Sequence, residues 1–441
     1  MQATARRNRE LSLLILALLP ACGALALAGL AVGRAAALET VPLMAVLGGA
    51  YGVTHLVVRR VAREADPLIL PLAAILNGIG LAAVYRLSPD DYGRTQVTWT
   101  LVGLAFFVGT IVAVRDYKPL AHYKYVFGFA GVGLLLLPLT PFGRVINGAR
   151  LWVGFGGFSF QPGELAKVCI VLFFAAYLAE RKELLAIAAR RVLGFHVPDV
   201  KHFGPILLMW GLSLAVMFYE TDLGSSLLFF SIFLAMLYIA TARAFYLVAG
   251  GALFAVGAVI GYNVFGHVRE RVAIWLDPLA PSMVRDEAYQ LAQSLFAFAT
   301  GGMFGTGLGG GRPDLIPAAQ TDFIFAVIGE ELGLLGAAAV LLCFLLLVGR
   351  GLRIAMIERD DFGQLLAAGL ITIFALQTII IIGGVTRVLP LTGITLPFMS
   401  YGGSSMLANF ILLGLLVRIS HQRAAAPEPA QTSEILIGGR R

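Results

Sequence analysis

Apolar runs of about 20 residues recur along this chain from near its first residue to near its last. A run of that length crosses the ~30 Å hydrocarbon core of a bilayer as a helix. Inside lipid such a segment must satisfy its own backbone polar groups. The repetition therefore predicts an all-α polytopic membrane protein. Composition agrees: 59% of the 441 residues are hydrophobic and 13% charged, against roughly 45–50% and about 25% in soluble domains. Mean hydropathy is +0.84.

Twelve spans are expected, at 11–32, 41–58, 67–87, 97–114, 123–140, 163–180, 205–219, 223–241, 244–265, 322–349, 363–386 and 395–417. The first follows Arg6, Arg7 and Arg9 as a signal peptide would, yet its length lets it stay as a span. Alternate loops carry the basic residues, among them Arg59, Arg60 and Arg63, Arg115 and Lys118, Arg190 and Arg191, and Arg350 and Arg353. This bias places both termini in the cytoplasm. It also accounts for the net charge of +7. No basic stripe with interleaved aromatics suggests nucleic acid. Cys22, Cys169 and Cys343 fall inside apolar runs and read as packing residues rather than a disulfide or metal framework. The tail beyond Arg423 is Pro/Ala-rich and expected to be disordered.

Two outer loops are long. Residues 141–162, "PFGRVINGARLWVGFGGFSFQP", set seven aromatic or arginine side chains among glycines. Residues 266–321 include "EAYQLAQSLFAFA", whose helical period predicts an ordered, partly re-entrant amphipathic helix. No internal repeat stands out, which argues against a transporter built from two repeated halves.

Four constellations could carry chemistry. Asp322 precedes the apolar run FIFAVIG, where Thr321 or Asp322 could cap a helix or the carboxylate could act as a base. Glu330 and Glu331 follow roughly 12–13 Å further along one continuous helix. That is too far for a two-carboxylate site with Asp322, and pairing with Arg or Lys near the inner half is expected. Glu164 and Lys167 in "FQPGELAK" share a helix face, as an ion pair or as an intramembrane functional pair. Glu220 and Asp222 in "YETDLGSS" offer two acids beside small residues. The stretch "GGMFGTGLGGGRPD" fits no nucleotide loop. It reads either as a tight reversal or, with Arg312, as an anion nest. There is no HExxH or SxxK. On residue types alone, a transporter and a lipid-modifying enzyme remain equally open.

The strings "NGARLWVGFGGFSFQPGELAK", "DLGSS", "YQLAQSLFAFATGGMFGTGLGGG", "TDFIFAVIGEELG" and "LPLTGITLPFMSYGGSSMLANF" occur in one order. Together they resemble the SEDS proteins, the RodA/FtsW/SpoVE group, over roughly residues 70–420. Details such as "RRVLGFHVPDVKHFGPIL" and "GGVTRVLPLTG" resemble the RodA-type members of actinobacteria. The resemblance implies residues 1–66 as an N-terminal segment with two extra spans, a ten-span core over 67–420, and a tail over 421–441. It implies a peptidoglycan glycosyltransferase polymerising lipid II at the outer face of the cytoplasmic membrane, for elongation and shape or for division. Asp322 would be the catalytic carboxylate. Arg150, Trp152, Glu164, Lys167, Arg312, Ser400 and Tyr401 would bind substrate.

A divalent cation, Mg²⁺ or Mn²⁺, would sit at Asp222, with no organic cofactor. The implied partner is a class B penicillin-binding transpeptidase. Two departures bear on the phosphate site. Glu220-Thr221 stands where the family usually has Gln-Pro, and Leu151 follows Arg150 where a second basic residue is common. A lipid II flippase is the competing function and a recruiting scaffold a third. An essential acid at the outer end alone favours the polymerase.

Overall fold

The computed structural model describes residues 2–146, 149–155, 158–186, 190–192, 195–197, 204–219, 222–286 and 288–425. Helices dominate: α1 Gln2–Val32, α2 Arg34–Val61, α3 Ile69–Leu87, α4 Arg94–Ala113, α5 Lys124–Leu136, α6 Pro162–Ala186 and α7 Gly204–Tyr219. They continue with α8 Leu223–Thr241, α9 Ala244–Val264, α10 Gly266–Leu276, α11 Tyr289–Gly301, α12 Ile324–Ile357, α13 Asp361–Val385 and α14 Gly403–Ala425. Among the described residues, eleven helices are long and apolar enough to cross a membrane. The twelfth expected span is α7, whose 16 residues reach only about 24 Å. Residues 201–203 and 220–221 on its flanks, including Glu220, lie outside the described residues.

Between lipid-facing helices there is little hydrophobic driving force, so close packing has to hold the bundle. Small residues allow it. Gly78 of α3 lies against Ala21 of α1, and Gly103 of α4 lies under the Phe410 ring of α14. α3, α13 and α14 are buried nearly all round. By contrast α9 exposes Leu253, Val256, Val259 and Ile260, as a helix facing lipid does.

Polar contacts tie the bundle at both ends. At one end Arg350 Nε donates to Asp66 Oδ2 at 2.9 Å. The Asp66 and Glu64 N–H groups donate to Ser420 Oγ (2.9 Å) and His421 Nδ1 (3.2 Å) of α14. The other end carries α10, α11 and an antiparallel meander in the 141–162 loop: β1 Gly143–Ile146, β2 Ala149–Phe155 and β3 Phe158–Phe160.

The structure corrects three boundaries. α14 starts at Gly403 rather than 395, because Pro397 lacks an N–H and Phe398 takes φ +64°. It also runs to Ala425, so residues 421–425 are helical, with Gln422 donating to the Arg115 carbonyl at 2.8 Å. The rest of the expected tail, 426–441, lies outside the described residues.

The third correction is in α12, which breaks at Gly333 (φ 67°, ψ −169°), backbone open to glycine alone. The break frees carbonyls and N–H groups, and the glycine-rich loop meets both sets. Thr306 and Gly307 N–H donate to the Glu330 and Glu331 carbonyls, each at 3.0 Å. Leu334 and Leu335 N–H donate to the Gly302 and Met303 carbonyls at 2.9 and 3.2 Å.

Candidate active site

Asp322 sits in a run of turns before α12, and other segments hold that run in place. Ser400 Oγ donates to the Thr321 carbonyl at 2.6 Å and accepts from Leu396 N–H at 2.8 Å. Tyr401 N–H donates to the Gln320 carbonyl at 2.8 Å. Gln96 Nε2 of α4 donates to the Ser400 carbonyl at 3.1 Å. Ser400, through its hydroxyl, and Tyr401, through its N–H, thus hold the backbone of the Asp322 segment in place. The N-cap of α12 is Phe323, and no side chain caps the helix. The Asp322 carboxylate is therefore not spent on helix capping.

Three elements converge on that carboxylate. A Cβ at Gly393 would lie 3.6 Å from Asp322 Oδ2, so the backbone at Gly393 passes close to it. Arg271 of α10 donates from Nη1 to the Leu391 carbonyl at 3.0 Å. Gly224, in the first turn of α8, packs on the Thr392 carbonyl. Just ahead of it, Asp222 caps α8, its Oδ1 accepting from Ser225 N–H at 2.9 Å.

Asp322 is partly exposed yet densely surrounded, and this burial pushes its pKa up to about 6. The Thr321 hydroxyl and Arg271 pull it down, while Asp222 adds to the rise. Burial likewise raises Asp222, against its Ser225 hydrogen bonds and Arg271, with Glu164 adding to the rise. Two carboxylates that both feel the charge of Arg271 form the charged centre.

The other expected residues divide. Glu164 and Lys167 form a buried pair on α6, Nζ to Oε2 at 2.6 Å, and Glu164 lies near enough for Asp222 to feel its charge. Leu151 of β2 lines a cavity of about 10 Å³ with Asp222, Ser225, Gln161 and Gly163, about the room of one water. The meander therefore roofs the Asp222 side. Arg150 is exposed and donates from Nη2 to the Thr140 carbonyl at 2.9 Å. Trp152 pairs across the strands with Arg144.

Arg312 is not brought to Asp322. Its guanidinium is exposed and binds Asp314 at 3.1 Å. The glycine stretch does form an anion cradle, but for the chain's own acids. Gly309 N–H donates to Glu331 Oε1 at 3.1 Å and Arg312 N–H to Glu330 Oε1 at 3.0 Å. Arg86, at the end of α3, lies 3.6 Å from Glu331. The glutamates therefore pair at the site end of the bundle, not in its inner half, because α12 breaks just beyond them.

For the metal expected at Asp222, no group of three or more His, Cys, Asp or Glu is placed to hold an ion among the described residues. Asp222 already spends one oxygen on its cap. Sequence reading missed Arg271, whose partner Leu391 is 120 positions away. Its one sequence signal was the pair of arginines in "HVRERV" within the long 266–321 loop.

A family model described as cell cycle protein, spanning FtsW, RodA and SpoVE, matches residues 68–425. The chain is 46% identical over 402 residues to the peptidoglycan glycosyltransferase RodA of Mycobacterium tuberculosis, covering 88% of this chain and 85% of that one. It is 33% identical over 371 residues to the stage V sporulation protein E of Bacillus subtilis, covering 80% and 96%. Among solved structures it matches a chain of a peptidoglycan synthase complex that coordinates polymerization and crosslinking. That match has TM-score 0.66, 26% identity, and 81% and 98% coverage. The crystal structure of the rod shape determining protein RodA of Thermus thermophilus matches at TM-score 0.59 and 25% identity, with 81% and 97% coverage. The chain belongs to the FtsW/RodA/SpoVE family.

Proposed function

We propose that the chain is a peptidoglycan glycosyltransferase that polymerises lipid II, with Asp322 as the general base. One observation carries the assignment of the base: an uncapped carboxylate, half-buried beside Arg271, with its pKa pushed up to about 6. An ordinary aspartate is a weak base; near 6 it accepts a proton more readily and still stays mostly ionised at neutral pH.

In the reaction the sugar 4-hydroxyl oxygen attacks the anomeric carbon of the lipid-linked sugar. The bond from that carbon to the pyrophosphate oxygen breaks, its electron pair leaves on the pyrophosphate, and the hydroxyl proton passes to Asp322. The anomeric centre inverts in one displacement. Pyrophosphate is already a good leaving group, so no second carboxylic acid is needed to protonate it. Fixed cations stabilise the charge growing there. Arg271 is best placed, since it lies near both acids and among the described residues only Nη1 is committed, to Leu391. Lys167 is neutralised by Glu164, and Arg150 stands at the roof. A bound Mg²⁺ or Mn²⁺ would neutralise pyrophosphate charge there, held by the free oxygen of Asp222 and chiefly by substrate phosphates and water, as Mg²⁺ usually is.

The site lies at one end of the bundle, not along a path through it, which supports polymerisation over flipping. The basic loops support cytoplasmic termini and an outward-facing site. The likeness to a peptidoglycan synthase complex supports a class B penicillin-binding transpeptidase as partner.

Asp322→Asn tests the base. The amide is nearly isosteric and takes no proton, so polymerisation by the folded, lipid II-binding variant is expected to fall about 10²–10⁴-fold. A wild-type rate would move the base elsewhere.

A further inference from the structure

At the far end of the bundle, α1 and α2 enclose a cavity of about 370 Å³ whose wall carries Arg7, Arg59, Arg60 and Arg63. The size is that of a small-ligand pocket, and no carboxylate among the described residues lines it. Both helices precede the residues that the family model covers, so glycosyl transfer does not account for the pocket.

The site is built rather than merely basic. Arg7 is 1% exposed. Its guanidinium binds Glu10 and the Ala65 carbonyl, and Glu10 is fixed in turn by His55 Nδ1 at 2.6 Å. The Arg7 Nε is buried with no partner among the described residues. Arg59 is oriented by Asn8, Nη1 to Oδ1 at 2.9 Å. Arg60 and Arg63 carry neither an ion pair nor a hydrogen bond among the described residues, and both are exposed.

Next to these cations the wall turns apolar. Leu56 lines the cavity, and Val53, one turn back along α2, is 60% exposed on the membrane-facing surface. Charge above and an exposed aliphatic track below match one amphiphile.

We propose that this pocket binds the phosphate headgroup of an anionic glycerophospholipid from the leaflet at this end, with an acyl chain along Leu56 and Val53. Basic pockets between membrane helices take such headgroups. Arginine forks suit phosphate oxygens. General enrichment of arginine at this end does not explain the arrangement, since Arg353 and Arg359 are also exposed at helix ends yet line no part of this cavity.

The test uses the full-length protein in vesicles of phosphatidylcholine with phosphatidylglycerol, followed by native mass spectrometry of retained lipid. Wild type is expected to keep one phosphatidylglycerol in preference to phosphatidylcholine. The double variant Arg60→Gln, Arg63→Gln should lose retention on the order of tenfold with its melting temperature unchanged. The control Arg353→Gln, Arg359→Gln should retain lipid as wild type does. Equal retention by the two double variants, or equal retention of the two lipids, would overturn the proposal. Displacement of the lipid by inorganic phosphate would overturn the lipid as the source of the anion.

Discussion

The raised pKa of Asp322 makes the pH dependence of polymerisation diagnostic. With a pKa of about 6, the carboxylate is roughly nine-tenths ionised at pH 7 and about one-tenth at pH 5. Between those values the rate at limiting lipid II should drop about tenfold. An aspartate at the ordinary value of 3.8 would lose only a few per cent over that range. The assay is single-substrate polymerisation by the purified protein from pH 5 to 8, with melting temperature recorded at each point. The neighbours supply the signs. Asp222→Asn removes a negative charge and should move the ascending limb to lower pH. Arg271→Gln removes a positive charge and should move it higher. A rate that stays flat to pH 5, or a limb that neither variant moves, refutes Asp322 as a base tuned by these groups.

Stability should run the opposite way. The folded state holds the proton more tightly than the unfolded chain, so ionising Asp322 costs stability. That cost is absent below the unfolded value of 3.8, grows between 3.8 and about 6, and is complete above. At pH 7 it is about 2–3 kcal/mol at most. Asp322→Asn should therefore be strongly impaired yet more thermostable than wild type at pH 7, with the gain gone near pH 4. A variant that melts lower at pH 7 would refute the burial argument.

Replacing Gly333 with Ala forces a side chain into glycine-only backbone and against Gly305 N, so a loss of at least about 1–3 kcal/mol is expected; an unchanged melting curve would contradict the break. Arg150→Ala should weaken lipid II binding, measured by retention on the membrane-reconstituted protein, with little change in melting temperature because the side chain is exposed; intact binding with lower stability would leave Arg150 only a structural tie to Thr140. In a cysteine-free background, an impermeant thiol reagent added outside should label Arg285→Cys and not Arg190→Cys; the reverse would invert the topology and the outward-facing site.

The spans were legible because about 20 apolar residues in a row have one stable solution in lipid. α11 was legible because "AYQLAQSLFAFA" keeps a helical period. Asp322 stood out because a carboxylate at the start of an apolar run is costly. What stayed hidden depends on contacts distant in sequence. Gly333 looks like any glycine in a spanning run until the 302–307 backbone is seen to satisfy the groups it frees. That Ser400 and Tyr401 also anchor the Asp322 turn stayed hidden because their partners, the Thr321 and Gln320 carbonyls, lie about 80 positions back. Arg312 followed glycines as in a phosphate nest, yet the nest's anions are Glu330 and Glu331.

The break in α12 also explains how the aspartate proposed as the base can be held rigidly at a membrane boundary. After Gly333 the helix still has 24 residues, 334–357, about 36 Å at 1.5 Å each, which alone crosses a ~30 Å core. The nine residues 324–332 are therefore not needed for crossing. They serve as a buried arm with Asp322 at its tip. Loop N–H groups on Glu330 and Glu331 fix the base of the arm, and Ser400 and Tyr401 fix its tip. A carboxylate that costs stability when ionised would relax toward water if its segment could move. Anchoring at both ends prevents that relaxation, so the burial that raises its pKa persists in the resting protein and keeps the base poised before substrate arrives.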